Sequence, residues 1–79
     1  MRISVSGTVQ GVGFRPAVYR AAVRCGASGT VRNDGSAVVI DTNKGDELLS
    51  ELLKSLPPLA RIERIEKDGA AYEGPQGFS

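Results

Sequence analysis

Apolar and polar positions alternate from the first residues. Ile3 and Val5 sit between Arg2, Ser4 and Ser6, the period of a strand with one buried face. The alternation then gives way to a stretch dense in glycine, Gly7-Thr8-Val9-Gln10-Gly11-Val12-Gly13-Phe14-Arg15. Beyond it Val18, Ala21, Ala22 and Cys25 recur at helical spacing. Pro16 stands at what reads as the first helical position, and Gly26 suits the left-handed residue that closes a helix. The spacing predicts a helix over Pro16 to Cys25.

Ser28 to Asn33 reads as a strand, and Asp34-Gly35 as a tight type I′ hairpin turn with positive φ at both central residues. Ala37-Val38-Val39-Ile40-Asp41 is nearly continuously apolar and β-branched, which predicts a central strand covered on much of both faces. Asn43 with Asp46 three residues later resembles a capping box. Leu48, Leu49, Leu52, Leu53 and Leu56 form the stripe of a second helix, ended by Pro57-Pro58. Ile62 and Ile65 indicate a further strand whose odd spacing a bulge would explain. Gly69 to Ser79 reads as a loop. The order β-α-β-β-α-β is the split βαβ, an α+β ferredoxin-like arrangement: an antiparallel sheet with two helices on one face. Residues 1–79 suffice for one such domain, with neither repeat nor linker.

Composition narrows the chemistry. The chain has no histidine, which removes every triad, general base or metal site that needs imidazole. One cysteine, Cys25, makes neither an internal disulfide nor a multi-thiolate metal site. Ten Lys and Arg against nine Asp and Glu leave a net charge of +1, too small a field to draw in nucleic acid or anionic lipid. Apolar runs are too short to span a membrane, and Met1-Arg2-Ile3-Ser4 lacks the apolar core of a secretion signal, so the expected setting is cytoplasmic.

The glycine-rich stretch carries the most chemical information. It leaves a strand and enters a helix at once, so unpaired N–H groups and the positive end of the helix dipole meet a backbone without side chains in the way. Such a place suits an oxyanion or a phosphate. Pro16 biases Arg15 away from helical geometry, which would leave its planar guanidinium at the helix threshold, matched to two phosphate oxygens. The P-loop ending and the dinucleotide fingerprint are both missing. The plainer alternative is a turn that lets strand and helix pack closely, with Arg15 in solvent. Asn33 alone is ordinary turn chemistry, Gln10 suits bracing of neighbouring backbone, and Cys25 suits a small buried position. Phe14 and Tyr19 read as packing residues, and Arg20, Arg24, Arg32, Arg61 and Arg64 as solvated charges.

Gly7 to Arg15 strongly resembles the G-x-V-Q-G-V-x-F-R signature of the acylphosphatase family, and Gly29-Thr30-Val31-Arg32-Asn33 resembles that family's second motif, G-x-V-x-N. The resemblance implies that Arg15 binds the substrate phosphate beside the N–H groups of Thr8, Val9, Gln10, Gly11, Val12, Gly13 and Phe14. It implies that Asn33 orients the attacking water, and that acyl phosphates are hydrolysed with no metal, cofactor or covalent intermediate. Phe14-Arg15-Pro16, Val18-Tyr19-Arg20, Asn33-Asp34-Gly35 and Pro57-Pro58-Leu59-Ala60-Arg61-Ile62 are similar to the N-terminal domain of the hydrogenase-maturation carbamoyltransferases. That branch implies carbamoyl phosphate as substrate and further domains of the same parent chain as partners; the alternative within the family is a free-standing acylphosphatase. Thr30 departs from the bulky residue usual after Gly29, which implies altered packing near Asn33. Such domains continue beyond Phe78-Ser79, so the chain is expected to be a fragment.

Two other functions use the same residues. A non-catalytic module would keep the phosphate cradle, or dock neighbouring domains, without turnover. An RNA-binding sheet of this topology is disfavoured by the lack of an aromatic RNA-binding motif and of a basic surplus; the chain has two Tyr, two Phe and no Trp.

Overall fold

A computed structural model describes residues 1–78. The elements run β1 (Arg2–Thr8), α1 (Phe14–Cys25), β2 (Gly29–Asp34), β3 (Ala37–Thr42), α2 (Gly45–Lys54) and β4 (Arg61–Asp68). The strands form one sheet in the order β2-β3-β1-β4, antiparallel at each junction. This is the expected ferredoxin-like α+β architecture.

Alternation in β1 sends Ile3 and Val5 to one face, where they pair across the ladder with Ile40 and Val38 of β3. All four are fully buried, and Ala17, Val18, Ala21 and Ala22 of α1 with Leu48, Leu49 and Leu52 of α2 close over them as one core. Each large aliphatic side chain withdrawn from water in this way contributes about 1.5–3 kcal/mol. Leu53, counted in the leucine stripe from its spacing, is exposed instead, and Leu56 only edges the core. The helix is narrower in contact than its run of leucines suggests.

Several local expectations are corrected. Helix α1 starts at Phe14, two residues before Pro16, so Arg15 is helical rather than extended. Pro16 is harmless there because the first intrahelical bond is Ala17 N–H to the Gly13 carbonyl, at 3.2 Å, and earlier residues have no acceptor within the helix. Gly26 does close α1 in the left-handed region, at φ 71, and Ala27 N–H reaches the Ala22 carbonyl at 2.9 Å. The hairpin between β2 and β3 turns on Gly35 and Ser36, with positive φ at Gly35 alone, the pattern of a type II′ turn rather than type I′. Asn43 is no cap for α2. Its Oδ1 accepts from Ser28 N–H at 2.8 Å, stitching the start of β2 to the end of β3.

The bulge expected in the last strand is present. Ser6 pairs with Arg64 and Gly7 with Ile62, which leaves Glu63 as the extra residue and puts Ile62 and Ile65 at the edge of the same core. Gly7 lies at φ 131, and a Cβ there would run into the Arg61 carbonyl. Cys25 is half-buried at the core's rim, and Tyr19 is exposed on one side while its ring meets Phe78 edge-on at 6.1 Å. The tail does not run free: Phe78 pairs in parallel with Gly29, and Gly77 N–H donates to Ser28 Oγ at 3.0 Å. Ser79, the last residue of the expected loop, lies outside the described residues.

Three arginines read as solvated charges are in fact ion-paired. Arg24 binds Glu51 at 3.1 Å across the two helices, Arg32 binds Asp41 at 3.0 Å on the open sheet face, and Arg64 approaches Glu66 at 3.7 Å. Arg2 also binds Asp41, at 2.8 Å. Desolvation alone would raise the Asp41 pKa, but the hydrogen bonds and charges of Arg2 and Arg32 outweigh it and hold the carboxyl below its ordinary value. Glu51 is likewise lowered, by Lys54 first and then Arg24.

Candidate active site

The site is built where β1 hands the chain to α1. Val9 and Phe14 are both buried in the core and pin the loop at its two ends, so residues 10–13 arch between fixed points. Gly11 at φ 72 and Gly13 at φ 80 supply positive φ on either side of Val12, whose φ is not positive. No atom lies within 4 Å of where a Cβ would stand at Gly11 or Gly13, so conformation rather than crowding calls for glycine.

This arrangement leaves donors unused. Among the described residues, the N–H groups of Gly11, Val12, Gly13, Phe14 and Arg15 have no protein acceptor, and no side chain caps α1. Four of these residues, Gly11, Gly13, Phe14 and Arg15, line a cavity of about 250 Å³ together with Val9, Gln10, Pro16 and Asn33. An uncapped helix start and the positively charged Arg15 border this cavity, and the dipole end and the cation together favour negative charge.

Arg15 and Asn33 reach this cavity from different elements. Arg15 is the second residue of α1, exposed, and in no ion pair among the described residues. Asn33 pairs with Val38, whose side chain is in the core, so the pleat turns both towards the helix side of the sheet. Near the end of β2 that side is uncovered, and Asn33 is exposed where Val31, two residues earlier, is partly buried. Among the described residues its carboxamide makes no hydrogen bond within the protein, so it is available to a ligand.

The other loop residues divide. Val9, Gln10, Gly11, Gly13 and Phe14 line the cavity, whereas Thr8 belongs to the β1 ladder opposite Arg61, and Val12 leans against the core. Gln10 uses its side-chain amide as a brace: Nε2 donates to the Gly35 carbonyl at 2.6 Å and to the Ala37 carbonyl at 3.3 Å. Pro16, not among the site residues expected from the sequence, is also a wall of the cavity. A second, wider hollow of about 510 Å³ adjoins it through Arg15 and Pro16 and is completed by Tyr19, Arg20 and Val31. The motifs assign no site to Tyr19 or Arg20; the spacing signal that reaches Tyr19 is its position four residues, one helical turn, after Arg15.

The acylphosphatase family model matches residues 1–79. The chain is 48% identical over 84 residues to Carbamoyltransferase HypF2 of Cupriavidus necator, which covers 100% of this chain and 10% of that protein. It is 38% identical over 84 residues to an acylphosphatase of Caldivirga maquilingensis, covering 100% of this chain and 86% of that protein. Among solved structures, full-length HypF in its phosphate- and nucleotide-bound form superposes with a TM-score of 0.81 at 27% identity, over 98% of this chain and 11% of that one. The chain belongs to the acylphosphatase family. It spans about a tenth of the length of the carbamoyltransferases that it matches, and most of the length of the small acylphosphatases.

Proposed function

We propose that this domain hydrolyses acyl phosphates without a metal, and that carbamoyl phosphate is its natural substrate as the N-terminal unit of a carbamoyltransferase that matures nickel–iron hydrogenases. The observation that carries the reading is the meeting of Arg15, Asn33 and the unpaired loop N–H groups around one cavity. The 48% identity to a HypF2 carbamoyltransferase supports the choice of acyl group.

The chemistry asks little of the protein beyond placement. The loop N–H groups and the Arg15 guanidinium hold the phosphoryl oxygens, and their charge and dipoles offset the negative charge that builds up on those oxygens. The Asn33 carboxamide accepts a hydrogen bond from a water and directs its lone pair at phosphorus, opposite the bridging oxygen. The new P–O bond forms as the acyl–phosphate P–O bond breaks. The carboxylate, carbamate in the case of carbamoyl phosphate, leaves with the bonding pair, and the water's proton passes to phosphate. An acyl phosphate carries a good leaving group, so alignment and charge stabilisation suffice.

The test is release of inorganic phosphate from carbamoyl phosphate and acetyl phosphate in the presence of a chelator. Arg15→Ala is expected to lower kcat/KM by about 10²–10³-fold, the usual consequence of removing a principal transition-state donor. Equal rates for wild type and Arg15→Ala, or activity lost to the chelator, would refute the reading.

A second reading, anion binding without turnover, is favoured by one feature: among the described residues no hydrogen bond fixes the orientation of the Asn33 carboxamide. It predicts stabilisation by phosphate, abolished in Arg15→Ala, with no hydrolysis of any acyl phosphate.

A further inference from the structure

We infer that Gln10 is a positioning residue: its side-chain amide ties the glycine loop to the β2–β3 hairpin and thereby sets where Asn33 stands relative to Arg15. The inference rests on the reading above and assigns a part to a residue that the resemblance placed only among the phosphate-binding loop.

The two halves of the site come from distant parts of the chain. The loop hangs between β1 and α1, whereas Asn33 rides near the tip of a hairpin whose turn is Gly35 and Ser36. Strands β2 and β1 are not neighbours in the sheet, so no ladder joins loop and hairpin directly. Among the described residues, the only hydrogen bonds between loop residues 10–13 and hairpin residues 33–37 are those made by Gln10 Nε2, at 2.6 Å to the Gly35 carbonyl and 3.3 Å to the Ala37 carbonyl. The two acceptors lie on either side of Ser36, so one amide holds both the turn and the start of β3. Gly35 itself sits at φ 62, a conformation that orients the carbonyl which Gln10 takes.

This use of the amide bears on what Gln10 can do for a ligand. Both N–H bonds of Nε2 are directed at the hairpin, and the remaining side-chain atom, Oε1, is an acceptor that a phosphate would repel. Gln10 therefore cannot donate to the bound anion through its side chain while the brace holds. Its effect on the reaction passes through the hairpin to Asn33, whose water must lie in line with the breaking bond. Misplacement by about 1 Å is enough to lose up to about 10²-fold in rate.

The discriminating variant is Gln10→Met, which keeps the length of the side chain and adds no charge but removes both donors. Steady-state hydrolysis of acetyl phosphate is measured for wild type, Gln10→Met, Asn33→Ala and the double variant, each checked for folding by its thermal melt. The expected result is a kcat lowered by about 10-fold in Gln10→Met with KM changed less than about 2-fold, because orientation is lost and anion binding is kept. In the Asn33→Ala background Gln10→Met should change kcat no further. A raised KM with unchanged kcat would mean that Gln10 holds the ligand itself. Full additivity with Asn33→Ala would mean that it acts elsewhere, and a lowered melting point with unchanged kinetics would leave it only structural; each of these overturns the inference.

Should wild-type protein release no phosphate, the catalytic reading fails and the brace is still decided. The side-chain amide signals of Asn33 in an NMR spectrum then shift between wild type and Gln10→Met if Gln10 positions the hairpin, and coincide if it does not.

Discussion

The two helices begin in opposite ways, although among the described residues neither has a side-chain cap. At the start of α2, Asp46 and Glu47 occupy the first turn and put negative charge against the positive end of the helix. At the start of α1 there is no acidic residue; the first turn carries Arg15 and opens onto the cavity with unpaired N–H groups. A cation at that end is destabilising by about 0.3–1 kcal/mol on its own, and an anion between the guanidinium and the helix reverses the sign. One helix end carries acidic residues of the chain itself, and the other opens onto the cavity without them. Local rules of stability are followed at α2 and broken at α1, as is expected of a site.

The contrast can be broken most strongly by giving α1 what α2 has. Pro16→Glu places a carboxylate in the first turn, on the wall of the cavity. It should weaken binding of inorganic phosphate by about 10-fold or more, since like charges about 4 Å apart repel by about 1–4 kcal/mol between full solvent screening and the effective dielectric of a protein surface. Calorimetric titration reads the loss; an unchanged affinity would show that the helix end plays no part. Next in size is Gly13→Ala. Positive φ at 80 makes a side chain costly, so unfolding free energy should fall by about 1–2 kcal/mol even though the space beside Gly13 is empty. Chemical denaturation measures it, and a neutral result would mean that the loop has rearranged.

The converse change, Asp46→Asn with Glu47→Gln, should lower stability by about 0.3–1 kcal/mol per residue and leave phosphate affinity as it was. A thermal melt and the same calorimetric titration test both halves of that statement. Smallest is the acid response on the sheet face away from both helix ends. Asp41 has a folded-state pKa held below its unfolded value, so its contribution is complete above the unfolded value and fades as pH falls through the depressed one. Asp41→Asn should therefore cost about 1 kcal/mol or less at neutral pH. The difference from wild type should vanish in strong acid, as followed by urea unfolding across that range. A difference independent of pH would assign the effect to packing instead.

Much of the fold was legible because each strand and helix writes its period into the chain. Ile3 and Val5 alternate, Leu48, Leu49 and Leu52 step around a helix, and the broken spacing of Ile62 and Ile65 marked the bulge opposite Gly7. The failures came where a choice depends on partners far along the chain. Asn43 looked like a cap because Asp46 follows it, but Ser28 competes for its side chain and wins. Pro16 looked like a helix start because proline is common there, yet at the third position it also forfeits no bond, since the first intrahelical donor is Ala17. Leu53 followed the leucine spacing but faces solvent, since α1 and the sheet together cover a narrower stripe. For the site, the loop, Arg15 and Asn33 were readable as motifs. Their convergence on one cavity, and the brace from Gln10 to the hairpin, were not, because β1 to β2 adjacency is indirect and passes through β3.

The most direct test of the central claim is an NMR titration of the wild-type domain with inorganic phosphate, following the backbone amides of residues 11–15 and the side-chain amide of Asn33 together. Both sets are expected to move along a single binding curve, and both to stay still in Arg15→Ala. Loop amides that saturate while the Asn33 signals remain where they began, or a response undiminished by Arg15→Ala, would contradict the account.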